Sequence, residues 1–167
     1  MESLKIIVAC IFAAIVYGIV HDQFTARICV EYFTVFHPPV FATQSPTLLA
    51  LGWGIIATWW AGAIIGILLA ISARAGARPK LSFRSIVIWI PFLLAVMGIC
   101  AIVSGTIGYL WAPLPQEFAN ALPQTMQRRF LADWWAHSAS YSAGFVAGVV
   151  LCVVVWIRRG KTLPNCS

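Results

Sequence analysis

Charged side chains are scarce in this sequence. They make up 10% of its 167 residues, only five of them acidic, against roughly 25% charged residues in soluble domains. The hydrophobic share is 61%, where roughly 45–50% is ordinary. A water-soluble fold of this length could not hide that much apolar side chain.

Other scarcities narrow the chemistry. There is no C-x-x-C among the five cysteines, which argues against a four-helix thiol oxidoreductase. Cys10, Cys100 and Cys152 fall in apolar blocks, Cys166 in the C-terminal tail, and only Cys29 in a predicted outer loop, so no intrachain disulfide framework is expected. A Gly-rich phosphate loop, a G-x-S-x-G elbow and a Cys–His pair in a suitable context are all missing. Neither H-E-x-x-H nor E-x-x-H occurs, and internal repeats, a soluble domain and a flexible linker are absent too.

What the sequence does have is long uncharged blocks. Residues 6–20, 47–72, 85–111 and 138–157 contain no Asp, Glu, Lys or Arg, and each reaches or approaches the ~20 residues that span a hydrocarbon core of about 30 Å. Backbone polar groups in lipid need internal partners, and the blocks are too long for barrel strands, so helices are expected. The first block could instead be a cleavable signal peptide. Glu2 opposes Lys5, however, and no small-x-small site precedes His21, which favours an uncleaved helix. Ile7-Val8-Ala9-Cys10 looks like a lipoprotein cleavage box, but the apolar run before Cys10 is too short for one.

The net charge of +6 is distributed by topology rather than gathered for nucleic acid. Lys5, Arg74, Arg78, Lys80, Arg84, Arg158, Arg159 and Lys161 flank the first helix start, the middle loop and the tail. Arg27, Arg128 and Arg129 share the first and third loops with Asp22, Glu31, Glu117 and Asp133. The positive-inside rule then puts both termini and the middle loop in the cytoplasm, with basic side chains against anionic lipid; a bacterial inner membrane is the default location.

The expected architecture is all-α, a polytopic membrane protein in one domain. Four transmembrane helices at about 4–20, 47–72, 85–111 and 138–157 form a bundle. Outer loops 21–46 and 112–137 cap it, and a cytoplasmic loop at 73–84 and a tail at 158–167 complete it. Small residues one turn apart recur in each span, namely Ala14 and Gly18, Gly62 and Gly66, Ala101 and Gly105, and Gly144 and Gly148, which suits close helix packing. Ser45-Pro46 supplies a helix start, Gly76 and Pro79 a stop, and Pro91 a kink. Most of the eight tryptophans read as interfacial anchors, whereas Trp59 and Trp60 fall too deep for that and are expected between helices. In loop one, the Ile, Val, Tyr, Phe and Thr content of 27–36 favours an extended strand-like segment, with a short helix capped by Asp22 as the alternative. Pro115 and Pro123 divide loop three into two helical stretches, the second an amphipathic helix running into the fourth span.

All three histidines, His21, His37 and His137, fall on the predicted outer side with four of the five acids. Imidazole plus carboxylate is a competent divalent-metal set, which makes His21, Asp22, Glu31, His37 and His137 candidate ligands. Asp133, His137 and Tyr141 recur every four residues and share a helix face, so Asp133 would orient His137 and Tyr141 would lie beside it. Arg27 is expected to pair with Asp22 or Glu31. Haem is disfavoured, since no histidine lies inside a predicted span.

Three functions remain. One is a non-catalytic accessory or assembly subunit, with a membrane-protein partner or a homo-oligomer, whose cap acids and bases pair among themselves. Another is a membrane enzyme or ligand-binding protein with a His/carboxylate site, holding a divalent metal, at the outer interface. The third is an oligomeric transporter of a small neutral solute.

Overall fold

The computed structural model describes residues 1–161; Cys166 and most of the predicted tail lie outside the described residues. Among those residues the chain is all helical, and four stretches are long and apolar enough to cross a membrane: Glu2–Ile28, Pro46–Arg74, Phe83–Trp111 and Gln124–Gly160. These mark an integral membrane protein suited to contact with a lipid bilayer.

Helix α1 (Glu2–Ile28) runs two turns beyond the apolar block. Nothing stops it at Val20, because neither glycine nor proline occurs between Ile19 and His37, and its polar turns find partners on other helices. The backbone turns extended only at Cys29 (φ −147°, ψ 95°) before α2 (Val30–Thr34). The extended segment expected at 27–36 is therefore helical, and Asp22 sits inside α1 rather than capping a helix.

The second apolar stretch is two helices end to end, α3 (Pro46–Ile56) and α4 (Trp59–Arg74). At the joint the Thr58 hydroxyl donates back to the Gly54 carbonyl, a bond that bends helices, and the Ala57 carbonyl accepts from the Tyr141 hydroxyl at 3.2 Å. The third stretch is likewise divided, into α5 (Phe83–Val87) and α6 (Ile90–Trp111). Pro91 has no N–H and its ring excludes the carbonyl of Val87, where α5 ends. After α7 (Gln116–Ala121), Pro123 precedes the 38-residue α8 (Gln124–Lys161).

Helices α1, α3 and α4 form one packed unit and α6 with α8 another; α4 and α8 join the two. The first seam is nearly backbone on backbone. A Cβ on Gly54 would fall 2.5 Å from the Ile19 nitrogen, one on Gly62 2.7 Å from the Cys10 carbonyl and the Ala14 Cβ, and one on Gly18 2.6 Å from the Gly54 carbonyl. Gly66 faces Cys10 and Ile7 on the same seam. In the second unit Ala101 is buried and Gly105 faces Ala132 and Ala136 of α8. Gly144 and Gly148 meet the side chains of Met97 and Ile65 instead of a backbone. Trp59 and Trp60, expected between helices, are each about half exposed, and Trp60 also borders the central cavity.

The two ends of the bundle are closed differently. At one end Ile6, Cys10, Leu69, Ile86, Leu151 and Val155 form an apolar floor. Beneath it the buried Arg159 guanidinium donates to the carbonyls of Ser72, Ala75, Arg78 and Pro79, satisfying the C-terminal end of α4. At the other end Phe33 and Ala26 pack on Leu49, Ala50 and Trp53, and Cys29 packs with Leu122 and Phe130.

The glycine seam yields a direct test. Gly54→Ala forces α1 away from α3 and is expected to lower stability in detergent by about 1–3 kcal/mol, the usual cost of overpacking. Gly98→Ala, where an added Cβ meets nothing within 4 Å, should leave the unfolding transition unchanged or raise it slightly.

Candidate functional site

His21 and Asp22 lie in the last two turns of α1, and His137 lies in the first half of α8. The packing of α8 over α1 brings them together. His137 and Asp22 are buried, and His137 Nε2 stands 3.2 Å from Asp22 Oδ1. The His21 ring meets the His137 ring edge-on, with centroids 4.5 Å apart. One ligating atom each from His21, Asp22 and His137 lie within 4.8 Å of one another.

Protonation in this cluster follows from its hydrogen bonds. His137 Nδ1 is 2.8 Å from the Asp133 backbone carbonyl, so that nitrogen carries a proton and donates it. Nε2 then either holds a second proton shared with the Asp22 carboxylate or presents its lone pair. A histidine anchored through one N–H to a carbonyl, with the other nitrogen aimed into a polar cluster, is the usual state of a metal-ligating imidazole. Among the described residues His21 Nε2 is buried without a hydrogen-bond partner, which is costly for a polar atom in an apolar interior.

The expected role of Asp133 is corrected: its backbone carbonyl holds His137, and its carboxylate does not. Both carboxylate oxygens are fully buried and unpartnered among the described residues; the nearby Cys29 N–H is already donated to Thr25. Tyr141 lines the same cavity as His137, and its hydroxyl donates to the Ala57 carbonyl. Among the described residues Arg27 meets no acid, donating instead to the Gln23 carbonyl and side chain and to Thr47. Glu31 accepts from the Cys29 thiol at 3.4 Å and stands outside the cluster. The Cys29 thiol is pushed up to about 12, mainly by burial.

His37 approaches the cluster but is separated from it by two rings. Its Nδ1 faces the Tyr32 carbonyl at 2.8 Å, and its ring stacks on Phe33 and packs against Trp53. Tyr32 in turn stacks on His137 at 4.5 Å between centroids, and burial raises its phenol well above the ordinary value. Sequence reasoning missed Tyr17 and Ser140, whose hydroxyls bond at 2.7 Å, with Tyr17 also stacked beside His21. Their signal was present, since Tyr17 precedes His21 by four residues and Ser140 follows His137 by three, on the same helix faces. Tyr32 had no such signal, because its position depends on α2 folding back.

The cluster heads a cavity of about 410 Å³ in the middle of the bundle. His21, Asp22, His37, His137, Tyr17 and Ser140 line one end, and Cys10, Leu69, Leu94 and Leu151 line the other. A second hollow of about 650 Å³ lies between α1, α6 and α8, with Asp133 and His21 on its wall.

Burial lowers the His37 imidazole below its ordinary value; the Tyr32 carbonyl opposes the shift and His137 adds to it. The folded state therefore holds neutral His37, and its contribution to stability is full above the unfolded value of about 6.5 and lost as pH falls below that. Replacing it, as in His37→Asn, should flatten the fall in melting temperature between about pH 7 and about pH 5. A profile as steep as the parent's would show that His37 carries none of the effect.

Comparison of the chain with protein-family models, with curated proteins and with solved structures finds no match to any of them.

Proposed function

We propose that the protein is a four-pass membrane protein that binds a divalent first-row transition metal ion through His21, Asp22 and His137. The observation that carries this reading is the convergence of the three ligating atoms within 4.8 Å at the head of the central cavity. The 3.2 Å separation of His137 Nε2 and Asp22 Oδ1 is close to the edge of a tetrahedron with bonds of about 2.1 Å, roughly 3.4 Å. The wider separations need to close by about an ångström, and His21 borders hollows on both sides that leave room for its ring to turn. Binding would give His21 Nε2 the partner it lacks. Three protein ligands leave a coordination position open toward the cavity, the pattern of sites that act on a ligand rather than sites that only brace a fold.

In this reading the loops at 21–46 and 112–137 form the outer cap, the basic middle loop and both termini are cytoplasmic, and the metal sits at the outer end of the hydrocarbon layer. Asp133 serves through its backbone, and Tyr32 walls the site. His37 and Glu31 are not ligands. The accessory-subunit reading has less support, because it expects the cap acids and bases to pair. Among the described residues His137–Asp22 is one such pair, but Arg27 donates to Gln23 and Thr47, and Glu31 and Asp133 meet no base.

Protein purified in mild detergent, stripped with chelator and reloaded with zinc or cobalt should hold about one ion per chain, with cobalt giving the visible absorption of a low-coordinate site. His137→Ala should weaken zinc by at least about 100-fold, beyond the usual effect of an outer-shell partner, while His37→Asn should bind as the parent does. Substoichiometric metal in the parent, or full occupancy in His137→Ala, would overturn the reading; a metal-free chain that co-purifies with a membrane partner would restore the accessory role.

A further inference from the structure

The central cavity is long. On α1 its lining runs from Cys10 to Asp22, a rise of about 18 Å at 1.5 Å per residue. Its volume is about 410 Å³. The volume is well above the roughly 150 Å³ that accommodates benzene in an apolar cavity. Polar groups gather at one end, and the opposite end is the apolar floor of Cys10, Leu69 and Leu151.

The cavity also reaches the face that would meet lipid. Four of its lining residues, Trp60 and Ile64 on α4 and Tyr141 and Phe145 on α8, are 47%, 48%, 42% and 62% exposed. Below them α4 and α8 pack together, but α3 makes no extended contact with α8. The gap beside the Ala57–Thr58 break is crossed by the Tyr141–Ala57 bond. A mouth at this depth opens on hydrocarbon rather than on water, so the solute that can enter is one already dissolved in the bilayer.

We propose that the cavity binds a long-chain lipid carboxylate, its chain lying down the cavity to Cys10 and Leu151 and its head at the His21–Asp22–His137 centre. This rests on the metal reading for the head and on the cavity alone for the chain. A divalent ion with Asp22 as its anionic ligand retains one net positive charge in a buried site. Burying an unpaired charge is expensive, so an anionic oxygen head is favoured over an alcohol or ester.

The test uses the full-length protein in phosphatidylcholine nanodiscs, with palmitic acid carrying a diazirine at its terminal carbon as the probe. After irradiation, the label is expected on the floor residues Cys10, Leu69 and Leu151, and unlabelled palmitate should compete for it. Ala61→Phe, which obstructs the cavity, should cut floor labelling at least tenfold; Leu94→Trp, on a different helix, does the same if the first variant folds poorly. Chelation should weaken the apparent affinity of the probe at least tenfold. Floor labelling that is blocked by the fillings but indifferent to zinc upholds the chain site and removes the metal from its head. Labelling confined to outward-facing residues such as Ile102 and Phe92, while zinc still binds one per chain, overturns the lipid and leaves the metal centre standing. Equal competition by a two-chain phosphatidic acid would also overturn the fatty carboxylate as the occupant.

Discussion

Helices in a bilayer gain little from hiding apolar surface from one another, since lipid is as apolar as leucine. The contact that decides this bundle's arrangement is the one between His137 of α8 and Asp22 of α1, 3.2 Å apart and buried. It ties the α6–α8 unit to the α1–α3–α4 unit at one end, because either side chain left alone in that interior would be an unpaired polar group. Arg159 does the corresponding work at the other end, closing four carbonyls at the foot of α4. Between these polar ties, α1 and α4 meet over glycine and alanine, which allows a close seam there. On the other side Gly144 and Gly148 meet the long side chains of Met97 and Ile65, so that side stays wider. The central hollow lies where a narrow seam and a wide one share a bundle.

Two helix irregularities and one unbroken helix serve the polar end. The break at Ala57–Thr58 releases a carbonyl that Tyr141 takes up. The extended Cys29 lets α2 fold over the His137 ring, so that Tyr32 and Phe33 wall the cluster. The uninterrupted α8 carries His137 and its anchoring Asp133 carbonyl on consecutive turns, which sets the tautomer without any other residue. The Asp133 carboxylate remains unsatisfied on the wall of the second hollow, and nothing in the fold explains why an acid occupies that position.

Much of the fold was legible because lipid imposes simple rules. Uncharged blocks of the right length predicted four crossings, and Pro91, Pro115 and Pro123 marked breaks that the helices respect. The ends of the helices were less legible. Hydropathy ends the first block at Val20, yet α1 continues to Ile28, because helix continuation depends on backbone bonding and on partners for His21, Asp22 and Thr25 rather than on apolarity. The same error led to reading 27–36 as extended and to pairing Arg27 with an acid, when a longer α1 points it at Gln23 and Thr47.

By itself, the sequence determined that the chain is helical and suited to lipid, how many stretches can cross, and that histidines and acids gather toward one end; these follow from local composition and from charge. Which of those residues meet was decided only by tertiary structure. His21, Asp22 and His137 converge, while His37 stands behind Tyr32 and Glu31 stands apart, because the outcome depends on how α8 rotates about α1 and on where α2 folds back. Those quantities are set by packing between helices more than a hundred residues apart, and no local pattern encodes them.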